Sequence, residues 1–69
     1  MMESQITNKL RDLRKETPAT QEELAEAVGV SRQTIISIEG GNYTPSVALA
    51  LRIAHYFQVS VEDIFIYEK

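Results

Sequence analysis

Apolar residues recur along this chain at helical spacing, in short stretches separated by glycine, proline and small polar residues. Ile6, Leu10 and Leu13 stand at i, i+4 and i+7, which predicts a first helix from about Ser4 to Lys15. Thr17-Pro18-Ala19 ends it, because a residue before proline is pushed out of the α region. Leu24, Ala25 and Val28 form one stripe on a second helix, which Thr20 and Glu23 start as a capping box. Gly29 falls where that helix must stop sharply, a place that favours a residue tolerant of positive φ. Ser31 caps a third helix carrying Ile35 and Ile38, with Val30 between the two stripes and Gly40-Gly41 at its end.

Asn42-Tyr43-Thr44-Pro45 reads as a loop, and Ser46 as the cap of a fourth helix. Val47, Ala50, Leu51, Ala54 and Phe57 make its predicted buried stripe, and Leu49, Ile53 and Tyr56 a second apolar line beside it. Ser60 caps a short fifth helix with Glu62 and Asp63 in its first turn. Ile64 to Tyr67 closes the chain in an apolar, β-favouring run. With no strand pattern, repeat or low-complexity segment, the expected fold is all-α: five helices in one domain over residues 1–69.

At 69 residues the chain lies near the lower limit for folding on its own core. It has no cysteine and one histidine, so disulfides and a zinc cluster are excluded as supplements. His55 has no second ligand at metal spacing and no paired nucleophile, which leaves it partly exposed or in an oligomer contact. No catalytic constellation and no cofactor are expected. The N-terminus lacks a signal-peptide pattern and no apolar run approaches a membrane span, so the expected location is the cytoplasm.

The second and third helices, joined at Gly29, present the outer face of the third as a rigid polar rod that fits the DNA major groove. The net charge of −3 argues mildly against nucleic acid. Its distribution softens that objection: Lys9, Arg11, Arg14 and Lys15 cluster early and Arg32 opens the third helix, while Glu22, Glu23, Glu26, Glu62, Asp63 and Glu68 gather elsewhere. With Ile35 and Ile38 inward, Arg32, Gln33, Ile36 and Ser37 point outward or sideways. Arg32 can pair with guanine O6 and N7, and Gln33 with adenine N6 and N7. Ile36 either touches a thymine methyl or extends the core, and Ser37 is short enough to let the backbone approach the bases. Gln21 and Ser31 lie at helix N-termini, where free amides favour a phosphate; Thr34 can add a hydroxyl, and Lys9 and Arg11 are candidates for backbone contacts.

Thr20-Gln-Glu-Glu-Leu-Ala, Gly-Val-Ser-Arg-Gln-Thr-Ile, Ile38-Glu39 and Tyr43-Thr-Pro-Ser, in this order and spacing, resemble the lambda-repressor-like proteins of the Cro/repressor type, the XRE family. The resemblance covers about residues 8–65. It implies a compact five-helix bundle binding operator DNA as a dimer, with helix three read into the major groove. It implies that Gln21 also braces the first residues of helix three, and that Asn42 and Tyr43 form a second phosphate-contact segment. Relatives often carry lysine where Asn42 stands, and Tyr43 either bonds a phosphate or packs over the loop. It implies, too, an architectural ion pair of Arg14 with Glu39. Pro18-Ala19 departs from the family's usual glycine and leucine.

Leu49, Ile53 and Tyr56, with Ile64, Phe65, Ile66 and Tyr67, exceed what a small monomer can cover, which predicts a homodimer built from helix five and the tail of residues 64–69, with helix four contributing; the alternative is that Phe65 and Ile66 close the core of a monomer. The expected activity is that of a sequence-specific double-stranded DNA-binding regulator, a repressor on a palindromic operator. Two alternatives are an autoregulating antitoxin that holds a protein partner and an interaction module that has lost DNA affinity.

Overall fold

The computed structural model describes residues 6–68. Strand β1 (Ile6–Asn8) leads into helices α1 (Leu10–Glu16), α2 (Gln21–Val28), α3 (Arg32–Glu39) and α4 (Val47–Phe57). A single 3-10 turn (Val61–Asp63) and strand β2 (Phe65–Tyr67) follow. β1 and β2 pair antiparallel, Ile6 with Tyr67, Thr7 with Ile66 and Asn8 with Phe65.

All three predicted caps of the longer helices hold in detail. The Thr20 hydroxyl accepts the Glu23 N–H at 3.0 Å while the Glu23 carboxylate accepts the Thr20 N–H at 2.9 Å. Ser31 and Ser46 accept the N–H groups of Thr34 and Leu49 at 3.3 and 3.1 Å. The first helix starts later than its periodicity predicts. Ser4 lies outside the described residues, and Ile6 is a strand residue, 43% exposed rather than inward. The cause is local: the Asn8 side chain accepts the Leu10 N–H at 3.1 Å, heading the helix at Leu10. The two preceding β-branched residues then find a partner strand at the other terminus.

The all-α, five-helix expectation is therefore corrected to four α-helices with a two-stranded sheet. The predicted fifth helix shrinks to the turn at Val61–Asp63, where the Asp63 carboxylate accepts the Ser60 N–H at 3.0 Å. Too few residues separate that cap from the β-favouring run for a helix to propagate.

Leu10, Leu24, Ile35, Ile38, Ile53 and Ile64 form the fully buried centre of the core, drawn from every helix and from the residue before β2. Here α4 departs from its predicted rotation. Leu49 and Ile53 are buried, whereas Val47 and Leu51 are 76% and 55% exposed. The buried side joins Ala50 and Ala54 of the predicted stripe to Leu49 and Ile53 of the line beside it, and since both lines are apolar, apolar character alone does not choose between them. Arg52 supplies an orienting contact: its Nε donates to the Val28 carbonyl at the end of α2, at 3.1 Å, with Leu49 and Ile53 turned into the core. Gln58 ends the helix in the left-handed conformation (φ 58°, ψ 46°). Among the described residues no helix is long and apolar enough to cross a membrane.

Candidate nucleic-acid interface

The junction of α2 and α3 has the geometry that its glycine requires. Gly29 adopts φ 81° and ψ 32°, and the Ala25 carbonyl accepts the N–H groups of both Gly29 and Val30, at 2.9 and 3.0 Å. Two residues later Ser31 caps α3, and its hydroxyl lies 3.1 Å from that of Thr34. Ile35 and Ile38 seal the inner side of α3. Arg32 and Gln33 are left exposed, with Thr34, Ile36 and Ser37 half-buried at the flanks.

The far end of α3 is held by a buried carboxylate. The Glu39 side chain is 1% exposed and takes two bonds from the Arg14 guanidinium, from Nε at 2.6 Å and from its terminal nitrogen at 3.1 Å. Gln21 donates its side-chain amide to the same carboxylate at 3.1 Å, and the Arg11 guanidinium lies 3.7 Å away. Arg14 also donates to the Ala19 carbonyl at 3.1 Å, which fixes the loop that contains Pro18. The predicted pair thus exists, inside a larger network. The expectation for Gln21 needs correcting: it braces the last residue of α3, not the first ones. Burial alone would raise the Glu39 pKa; the hydrogen bonds of Arg14 and Gln21 and the charges of Arg14 and Arg11 outweigh it and hold the carboxyl below its ordinary value. The same bond raises the Arg14 pKa.

Two recesses flank the exposed residues of α3. One, lined by Arg14, Lys15, Pro18, Ala19, Thr20, Gln21, Glu22 and Arg32, sets three cationic side chains and one carboxylate at the head of α2. There the first amides of the helix have no intrahelical partner. The other is lined by Ser31, Gln33, Thr34, Ser37, Asn42 and Tyr43, so predicted base-contact and phosphate-contact residues share one hydroxyl-rich surface. The Asn42 N–H is held on the Ser37 carbonyl at 2.9 Å, and Tyr43 is 47% exposed. Lys9 and Arg11 are exposed on and beside α1.

Two contributors escaped the sequence reading. Lys15 was visible as part of the early basic cluster, but only the fold brings it into one recess with Arg32. Asn8 donates its side-chain amide to the Ile38 carbonyl at 2.9 Å, and no sequence signal links residues so far apart. The predicted dimer surface also changes. Leu49, Ile53 and Ile64 are buried inside the protomer and cannot face a partner, because the core claims them. Tyr56 and Tyr67 are exposed, and Phe65 and Ile66 are half-buried.

A helix-turn-helix family model matches residues 10–64. An uncharacterized HTH-type transcriptional regulator of Methanocaldococcus jannaschii is 59% identical over 63 residues, which are 91% of this chain and 96% of that protein. The transcriptional repressor RstR of the cryptic phage CTXphi of Vibrio cholerae is 31% identical over 59 residues, 86% of this chain and 53% of its own length. Among solved structures, the clp gene regulator ClgR of Corynebacterium glutamicum aligns with a TM-score of 0.74 at 35% identity, over 78% of this chain and 57% of that one. The restriction-modification controller protein C.AhdI of Aeromonas hydrophila aligns at 0.73 and 28% identity, over 78% and 82%. The relatives are regulators, not enzymes. The chain belongs to the helix-turn-helix family of transcriptional regulators, of the XRE type with the lambda-repressor fold.

Proposed function

We propose that this protein is a cytoplasmic repressor that binds a palindromic operator as a homodimer, with α3 in the major groove. The observation that carries the reading is the disposition of α3. Its apolar side is sealed into the core and its C-terminus is locked through Glu39, while Arg32 and Gln33 are left exposed. A rigid helix offering an arginine and a glutamine suits direct reading of guanine and adenine edges. Ile36 and Ser37 complete the base-facing set. Gln21 and Ser31 serve the phosphates through backbone amides at their helix starts. Thr34, Asn42, Tyr43, Lys9 and Arg11 add flanking contacts, and Lys15 joins them. Two copies related by a two-fold axis set their α3 helices about one DNA turn (~34 Å) apart. By occupying promoter DNA the dimer excludes transcription.

Lys15 provides the test. Lys15→Ala weakens binding to every duplex alike and lowers the slope of log affinity against log salt by about one. Fluorescence anisotropy over a salt series measures both. Affinity that does not change with salt would contradict phosphate binding on this face.

A further inference from the structure

We propose that two copies of the chain join edge to edge through β2, with the two-fold axis passing beside Ile66. The inference rests on the dimeric reading above and specifies its contact. Antiparallel ladders alternate between hydrogen-bonded pairs and pairs whose N–H and C=O groups point outward. The Lys9 N–H donates to the Ile64 carbonyl at 2.8 Å, in the same register that pairs Asn8 with Phe65 and Thr7 with Ile66. Lys9–Ile64 and Thr7–Ile66 are therefore the bonded pairs. Asn8–Phe65 and Ile6–Tyr67 are the intervening ones. On the free side of β2, Phe65 and Tyr67 each present an N–H and a C=O to a further strand. The sheet has two strands among the described residues, so neither edge is paired.

A second copy fits this edge in one symmetric register. Phe65 opposite Tyr67 of the partner subunit exchanges two N–H···O bonds, and the symmetry repeats them. Ile66 then faces the partner's Ile66 in a non-hydrogen-bonded pair, Cα atoms about 4.5 Å apart. A slip by one residue sets outward groups against inward ones, and a slip by two leaves one of the two residues without its pair. The side chains favour the same arrangement. Phe65 packs on the core, which turns Ile66 to the other face of the sheet, where its aliphatic side chain gains a twin. The strand itself holds no proline or charge, the residues that commonly guard a sheet edge. On β1 the side chain of Asn8 is already committed to Ile38 and Leu10, and Lys9 follows directly.

The chain has no cysteine, so a single introduced one reports a single contact. Ile66→Cys, oxidised at high protein concentration, links into a covalent dimer, since the separation lies in the range that a disulfide spans. Leu51→Cys and Val47→Cys, on the exposed face of α4, do not link. Tyr67→Pro removes an outward N–H that no bond of the protomer uses, so it leaves the fold intact by circular dichroism. It weakens the dimer about thirtyfold in sedimentation, for one lost bond in each copy. A sedimenting dimer that links through Leu51→Cys and not through Ile66→Cys overturns the strand contact and leaves the dimeric reading standing. A monomer at every concentration overturns both.

Discussion

Glu39→Gln lowers the melting temperature by roughly 10–25 °C. The substitution keeps the shape of the side chain and removes the charge that Arg14, whose side chain is 14% exposed, was buried against. Removing one partner of a buried ion pair costs about 3–5 kcal/mol, because the other is left uncompensated. The lower end applies here, since Arg14 keeps the Ala19 carbonyl and some water. A domain of this size loses about 4–8 °C for each kcal/mol. Its whole stability is on the order of 3–10 kcal/mol, so one substitution removes a third or more. The double variant Arg14→Met/Glu39→Leu recovers much of the loss by leaving no charge unpaired. Thermal melts by circular dichroism measure all of this. A double variant as unstable as the sum of its singles would show that the pair does not act as a unit.

The same carboxylate sets the acid limit of the fold. Its pKa is lower folded than unfolded, so its stabilisation is present in full above the unfolded value, about 4.5. It is lost as pH falls through the lower folded value. The native protein loses stability below about pH 4.5 more steeply than Glu39→Gln does.

Arg32→Ala costs about 1–3 kcal/mol of specific binding, a loss of roughly 5–150-fold, confined to the base pair that its guanidinium reads. Binding to unrelated duplex falls only by the share of one charge. Gln33→Ala gives a loss of similar size at a neighbouring base pair and leaves the salt dependence unchanged, because no charge is removed. Titration against a set of single-base operator variants separates the two. An equal loss on every variant would make Arg32 a phosphate ligand.

The α2–Gly29–α3 unit was legible because everything that defines it is local. A capping box, a residue at positive φ and a serine cap each act within a few positions, and the stripes they bound are unambiguous. The partnership of Arg14 with Glu39 was reached only through resemblance. Gln21 in the same network was assigned to the wrong end of α3, because its contact spans 18 positions. The sheet was not legible. Its strands are three residues each, too short to show alternation, and they pair Ile6 with Tyr67 across the whole chain. The β-favouring character of Phe65–Tyr67 was plain, but its partner was read as the first turn of a helix. In α4 two apolar stripes competed, and the orienting contact, Arg52 on the Val28 carbonyl, lies outside both. The predicted dimer surface inherited that ambiguity and included Leu49 and Ile53, which the core requires.

Selection of binding sites from a random duplex pool, with the purified protein at low salt, tests operator recognition by α3. An operator-binding dimer enriches a palindrome whose half-sites lie about 10 base pairs apart, centre to centre, with guanine and adenine within each half. Folded protein that enriches no sequence at low salt would contradict that recognition, and would leave a helix-turn-helix module that holds a partner other than DNA.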